Sequence, residues 1–285
     1  MEITRSVTEL IGLALAEDAA GGDVTTAATI RGEGRGGGET MSRAVVRGKE
    51  PLVIAGIDVF EEVFRCCGGG VEFTEEKCDG DEIKAGDTIL RVKGPTRVLL
   101  MGERTALNFL MRLSGIATLT SSVVKKLGKS GVKVVDTRKT TPGWRYLEKY
   151  AVRVGGGHNH RFSLTDGVLI KDNHITAAGG ITGAVKSARE YVPHTLKIEV
   201  EVKNPEEIEE AINAGADVLL LDNMDRGKVE DAVKQISGRA LIEVSGGVTP
   251  ENIKNYDVDG VHFISMGYLT HGARSVDINM KIEVP

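Results

Sequence analysis

Four short β-branched or aliphatic runs, at 197–202, 218–221, 240–244 and 261–264, recur about every 21 residues in this chain of 285. Between them lie helical stretches at 205–214 and 226–236. Parallel neighbours in a sheet need a crossover of a dozen or more residues, so this spacing reads as successive βα units. Two earlier runs, 132–135 and 167–170, extend the series. A closed or nearly closed α/β barrel is the economical fold for such a rhythm. Asn204-Pro205-Glu206-Glu207 and Thr249-Pro250-Glu251-Asn252 each set a capping residue before a proline, a pattern that predicts a helix start after a strand.

The first hundred residues have a different pattern. Val7, Leu10, Ile11, Leu13 and Ala14 recur at helical spacing, so 6–16 is expected to be a helix ending before Gly21-Gly22-Asp23. Residues 44–46 and 51–55 read as strand and turn, 58–64 as a helix, and 80–94 as short strand pieces. They describe a small α+β domain ending near Arg97, followed by an amphipathic stretch at 98–127. Glycine is abundant, 36 residues, and concentrates at 31–38, which reads as a hairpin tip.

Charge narrows the partners. With 36 Lys+Arg against 41 Asp+Glu the net charge is -5, so no overall field draws the chain to nucleic acid or an anionic membrane. No run approaches the ~18 apolar residues of a membrane span, and the N-terminal residues lack the apolar core of a signal peptide, so a cytoplasmic location is expected. The cysteines, Cys66, Cys67 and Cys78, offer neither a disulfide framework nor zinc spacing and are expected to be reduced and buried.

In α/β barrels the chemistry gathers where strands end. Here those positions are polar: Asp136-Thr137-Arg138-Lys139 after one run, Lys171-Asp172-Asn173-His174 after the next, then Glu201, Asp222-Asn223, Ser245-Gly246-Gly247 and Ser265-Met266-Gly267. Any one of these residues has a bland reading as a cap or a solvated charge. Together, Arg138, Lys139 and Lys171 converge in an acidic protein, which implies a multiply charged anionic ligand. Glu201 and Asp222 suit ribose hydroxyls or a magnesium ion with few protein ligands. Gly155-Gly156-Gly157-His158-Asn159-His160-Arg161 adds a glycine-rich turn with one more cation, and the last two strand ends suit a phosphate monoester. Lys171 also admits a Schiff-base reading, which needs a desolvated lysine.

Over nearly its whole length the chain resembles the quinolinate phosphoribosyltransferase family. The resemblance is carried by Gly22-Asp23-Val24-Thr25-Thr26, Glu103-Arg104-Thr105-Ala106-Leu107-Asn108, Thr137-Arg138-Lys139-Thr140-Thr141-Pro142-Gly143, Gly155-Gly156-Gly157-His158-Asn159-His160-Arg161, Leu221-Asp222-Asn223-Met224 and Gly267-Tyr268-Leu269-Thr270-His271. It implies an incomplete α/β barrel of the type II phosphoribosyltransferase class at 106–271 and an N-terminal α/β sandwich at 1–105, with the tail 272–285 returning to the latter. It further implies a homodimer, with further assembly open, and the joining of quinolinate and 5-phosphoribosyl-1-pyrophosphate (PRPP), with magnesium, to give nicotinate mononucleotide, pyrophosphate and carbon dioxide for NAD synthesis.

On this resemblance Arg138, His160, Arg161 and Lys171 bind quinolinate, with Arg104 supplied by the partner subunit. Lys139, Glu201, Asp222, Ser245, Gly246, Gly247, Gly267 and His271 bind PRPP, and Lys139, Lys171, Glu201 and Asp222 are catalytic. Glu201 and Asp222 are the metal ligands, the ion being held mainly by pyrophosphate. His262 stands where Asp is common in the family and Gly272 where Ser is frequent. The rival readings are a paralogue using another acceptor, a nicotinate phosphoribosyltransferase that takes a monocarboxylate without releasing carbon dioxide, and a barrel that senses a phosphorylated sugar.

Overall fold

The structure, a computed structural model, describes residues 1–30, 40–128 and 131–283. The glycine-rich segment 31–38 therefore lies outside the described residues. In chain order the elements begin with α1 (Arg5–Ala19), α2 (Val24–Thr29), β1 (Met41–Gly48), β2 (Leu52–Val53), α3 (Ile57–Cys66), β3 (Glu72–Glu75), β4 (Glu82–Ile83), β5 (Thr88–Pro95) and α4 (Thr96–Leu127). They continue with β6 (Lys133–Val135), α5 (Arg145–Val154), β7 (Val168–Ile170), α6 (Asp172–Ala177), α7 (Ile181–Tyr191), β8 (Ile198–Val202), α8 (Pro205–Ala214) and β9 (Val218–Asp222). The last are α9 (Arg226–Ile236), β10 (Leu241–Ser245), β11 (Phe263–Ser265), α10 (Tyr268–His271) and β12 (Ile278–Ile282).

Two compact units result. The first comprises Met1–Leu119, Pro142–Gly155 and Ala273–Pro285; the second comprises Thr120–Thr141 and Gly156–Gly272. Within α4 the units divide between Leu119 and Thr120, and the helix runs unbroken through that point.

The first unit holds an antiparallel sheet ordered β12-β1-β5-β3, in which the C-terminal tail supplies the edge strand β12, Gly48 pairing with Ile278 and Ala44 with Ile282. In α3 the spacing of Ile57, Phe60 and Phe64, with Val59 and Val63 between, buries one face. Its N-terminus is capped from a distance: the Asp79 carboxylate accepts from the amides of Gly56 and Ile57 and from the Tyr150 hydroxyl. Trp144 stacks on Phe109 with centroids 4.6 Å apart. By length and composition α4 qualifies as a membrane-spanning helix, but 56% of its apolar window is buried inside the protein, as expected of a core helix.

The cysteines correct one expectation. They are free, but Cys66 and Cys78 are exposed and Cys67 is half-buried, because the first two lie at a helix end and in a turn rather than on an apolar face. Burial, with Cys66 beside it, pushes the Cys67 thiol up to about 11.

Among the described residues of this unit, Gly115 marks the tightest approach. A Cβ there would lie 2.0 Å from the Arg274 carbonyl oxygen, in the segment where Val276 donates to the Met111 carbonyl. Backbone on both sides leaves nothing flexible to yield. Gly115→Ala is therefore expected to destabilise the unit by about 1–3 kcal/mol, the usual cost of overpacking, measurable by denaturant unfolding.

The second unit is a parallel sheet ordered β6-β11-β10-β9-β8-β7. Each of the six runs expected from the sequence forms one strand. Helices follow as the capping residues direct at Asn204, whose side chain accepts from the Glu207 amide with Pro205 in the first turn. Thr249-Pro250 does not start an α-helix; it leads only to a 3-10 turn at Ile253–Tyr256. The sheet does not close. Its edges are β6 and β7, and β6 is covered on its outer side by a bridge between Val135 and His158, so the barrel is incomplete.

Candidate active site

Residues following the C-terminal ends of these strands line a cavity of about 680 Å³ in the second unit. The loop after β6 brings Thr137, Arg138 and Lys139, the glycine-rich turn brings His160 and Arg161, and the end of β7 brings Lys171. Asp222 and Asn223 come from the end of β9, Ser245, Gly246 and Gly247 from β10, and Gly267 and His271 from the turn after β11. Of the residues singled out from the sequence, Glu201 does not line the cavity; it is buried and ion-paired with Lys171, Nζ to Oε2, at 2.7 Å. Arg104 belongs to the first unit and is exposed. Lys171 itself is half-exposed and held by this pair, unlike the desolvated lysine that Schiff-base chemistry requires.

Local hydrogen bonds explain why these side chains converge. Asp136, fully buried, accepts from the His160 amide at 2.9 Å and the Asn159 side chain at 2.7 Å, tying the glycine-rich turn to the end of β6. The Thr270 hydroxyl donates to the Lys139 carbonyl at 2.7 Å. A Cβ on Gly267 would lie 2.9 Å from Lys139 Cδ and 3.3 Å from Thr137 Oγ1, so the lysine stem passes where only glycine leaves room. Asn223 has a left-handed φ of 53° and donates its side-chain amide to Asp222 Oδ2 at 2.8 Å.

The electrostatics call for an anion. Burial and the neighbouring Arg138 guanidinium pull Arg161 below its ordinary value, with Glu199 and Asp166 opposing. Two guanidiniums that repel each other gain most when a carboxylate or phosphate comes between them.

Two residues at this site carried no assignment from the sequence. Glu199 and Glu243 are buried, and their side chains face His160: Nε2 lies 3.2 Å from Glu199 Oε2 and 3.7 Å from Glu243 Oε1. The register places Glu201, Leu220 and Glu243 side by side on one face of the sheet. The signal available was an acid inside an otherwise apolar strand, at Ile198-Glu199-Val200 and Ile242-Glu243-Val244.

Burial and the charge of Glu199 push the Glu243 carboxyl from 4.5 up to about 7. For an acid raised on folding, stability is fully present below the ordinary value and falls as pH rises through about 7. Glu243→Gln, which cannot ionise, is expected to melt above the parent protein beyond about pH 8 and to lose that advantage below about pH 5, which thermal unfolding across pH tests directly.

Family models described as quinolinate phosphoribosyl transferase, N-terminal domain and C-terminal domain, match residues 23–114 and 116–281. The chain belongs to the quinolinate phosphoribosyltransferase family. Within it, the chain is 43% identical over 266 residues to the probable nicotinate-nucleotide pyrophosphorylase [carboxylating] of Bacillus subtilis, covering 93% of this chain and 90% of that one. It is 41% identical over 267 residues to the protein of the same name from Methanothermobacter thermautotrophicus, covering 91% and 93%. The crystal structure of NadC from Streptococcus pyogenes superposes with a TM-score of 0.92 at 42% identity, over 99% of this chain and 98% of that one. Membership of the quinolinate phosphoribosyltransferase family accounts for both units, since the two family models together span the sheets of each.

Proposed function

We propose that this enzyme transfers the phosphoribosyl group of PRPP to quinolinate with loss of carbon dioxide, yielding nicotinate mononucleotide and pyrophosphate for NAD synthesis. The observation that carries the reading is the gathering of Arg138, Lys139, Arg161 and Lys171 with Asp222 and the Gly246-Gly247 turn around one cavity. Planar guanidiniums suit the two carboxylates of quinolinate, so Arg138 and Arg161 hold the acceptor with Lys171, beside the ring of His160. In the proposed homodimer, Arg104 of the partner subunit adds a further cation. Ser245, Gly246, Gly247, Gly267 and His271 receive the 5-phosphate, and Lys139 receives the pyrophosphate.

The reaction then follows from positioning and charge. The C1–oxygen bond breaks with its electron pair leaving on pyrophosphate, the sugar becomes oxocarbenium-like, and the pyridine nitrogen lone pair forms the new bond to C1. On this reading Asp222, which lines the cavity, and Glu201, which pairs with Lys171, favour that positive charge, and Lys139 and Lys171 favour the departing negative charge. In the N-ribosylated ring the bond to the 2-carboxylate breaks, its electron pair stays on ring carbon stabilised by the cationic nitrogen, carbon dioxide leaves, and a proton takes its place.

Of the two residues proposed to hold magnesium, Asp222 lines the cavity and Glu201 is engaged by Lys171. Glu201 and Asp222 are hard oxygen donors, each already accepting one protein hydrogen bond, and a pair so few in number suits an ion that keeps waters and substrate oxygens. When bound, it would neutralise the pyrophosphate. A cytoplasmic location belongs to the same reading.

The test is to incubate the purified protein with magnesium, PRPP and either quinolinate or nicotinate, following pyrophosphate and carbon dioxide. Both products from quinolinate alone are expected. Pyrophosphate from nicotinate without carbon dioxide, or from neither acceptor, would overturn the reading.

A further inference from the structure

The reaction scheme gives no task to Glu199 and Glu243. Both side chains are at least nine-tenths buried, and each retains one carboxylate oxygen, Oε1, without a hydrogen-bond partner among the described residues. Burial without partners is costly for a carboxylate, so their placement beside a substrate-site imidazole calls for a physical reason.

His160 supplies it. Its Nδ1 accepts from the main-chain N–H of Arg161 at 2.7 Å, and its Nε2 faces Glu199 Oε2 at 3.2 Å. A ring nitrogen that accepts bears no hydrogen, so the hydrogen sits on Nε2 and points to the acids. Both nitrogens are thereby committed to the protein, leaving none for a substrate carboxylate. The main chain of the same residue is fixed from the other side by Asp136.

We infer that Glu199 and Glu243 are positioning residues of the acceptor subsite: they hold His160 in its Nε2–H form, and His160, through Nδ1, fixes the backbone from which the Arg161 guanidinium reaches the ligand. This rests on reading the cavity as the quinolinate and PRPP site. Glu199 also sets negative charge near Arg161, opposing the repulsion from Arg138. The Arg161 guanidinium is further anchored by a bond to the Gly167 carbonyl at 2.8 Å, so its origin and its reach are both defined.

A metal ion is the competing occupant, since His160, Glu199 and Glu243 place a ligand atom each within 4.8 Å of one another. Two facts favour positioning. A nitrogen that carries hydrogen has no lone pair for a metal, and a second-nitrogen acceptor is the reverse of the usual ligating histidine, which donates from its far nitrogen. The neighbouring Arg138 and Arg161 would also oppose a dication.

The test combines ring ¹⁵N NMR of His160 in the intact protein with ligand binding to Glu199→Gln. In the free protein Nδ1 is expected to be the unprotonated nitrogen and Nε2 the protonated one, and quinolinate is expected to leave this unchanged. Glu199→Gln is expected to raise the KM for quinolinate about tenfold or more while kcat at saturation changes less than about threefold, the pattern of lost ground-state binding. Its PRPP dissociation constant should stay within about twofold of the parent value, a selectivity that a general loss of structure would not produce. If that variant fails to fold, Glu199→Asp, which retracts the carboxylate by one methylene, makes the same comparison.

A protonated Nδ1 in the free protein, a ring that changes form when quinolinate binds, or equal loss of both ligands would overturn the inference, as would a shift of the ring signals on titrating zinc. If the parent protein does not bind quinolinate, the functional reading fails, and the ring signals of the free protein still decide the role of the two acids.

Discussion

Lys171→Ala is expected to lower kcat/KM by about a hundredfold or more, the effect of deleting one preorganised charge at a reacting centre. The side chain leaves the end of β7 at the position that caps α6, where its backbone is extended and its amide donates to His174 Nδ1 at 3.0 Å. Alanine preserves that backbone geometry, so the loop should hold its course. What is lost is the ammonium 2.7 Å from Glu201, which the proposed scheme sets between the acceptor and the pyrophosphate. The lysine end of the pair is half-exposed but Glu201 is buried, so Lys171→Ala also leaves that carboxylate without its cation and lowers stability. Steady-state kinetics and thermal unfolding of the same preparation therefore separate the two roles. A fall in turnover far larger than the lowered melting temperature accounts for at the assay temperature is the expected result, and retained turnover would remove Lys171 from the chemistry.

The contrast between Lys171 and Glu199 explains how far the sequence was legible. Lys171 ends an apolar run and precedes a turn, so its place at a strand tip follows from the run alone. The βα rhythm likewise located β8 to β11, and Asn204-Pro205 located the start of α8 through purely local hydrogen bonding. Glu199 carries no such local mark, because an acid inside a strand is equally compatible with a solvent face. Only assembly of the six strands puts it and Glu243 on one buried face against His160. The division between units has no local mark for a related reason: α4 runs unbroken from Thr96 to Leu127, and no proline or break of the helix falls at Leu119. Thr249-Pro250 offered the right local signal and still gave only a 3-10 turn, since capping starts a helix without supplying the apolar face that sustains it.

Gly246→Ala is expected to weaken PRPP binding about a hundredfold, because the added methyl is obstructed by the very residue that orients Asp222. Gly246 has φ +94°, and a Cβ there would lie 2.3 Å from Asn223 Oδ1, 2.5 Å from its Cγ and 2.8 Å from its backbone nitrogen. Rotating the Asn223 side chain relieves the first two contacts and not the third, which belongs to the chain. That chain is already committed: Asn223 N donates to the Ser245 carbonyl at 2.9 Å, its amide donates to Asp222, and its φ of 53° is left-handed. Relief must therefore move the tip of β9 against the tip of β10, displacing the proposed ribose carboxylate and the proposed phosphate turn together. Overpacking costs about 1–3 kcal/mol and a left-handed alanine about 1–2 more, which spans the hundredfold expected. Gly247→Ala isolates the cause. Its φ is also positive, +61°, but a Cβ there meets nothing within 4 Å, so it should suffer the backbone penalty alone and lose about tenfold or less. Isothermal titration of PRPP against both variants reads the difference, and equal losses would show that backbone conformation, not contact with Asn223, makes glycine necessary at this turn.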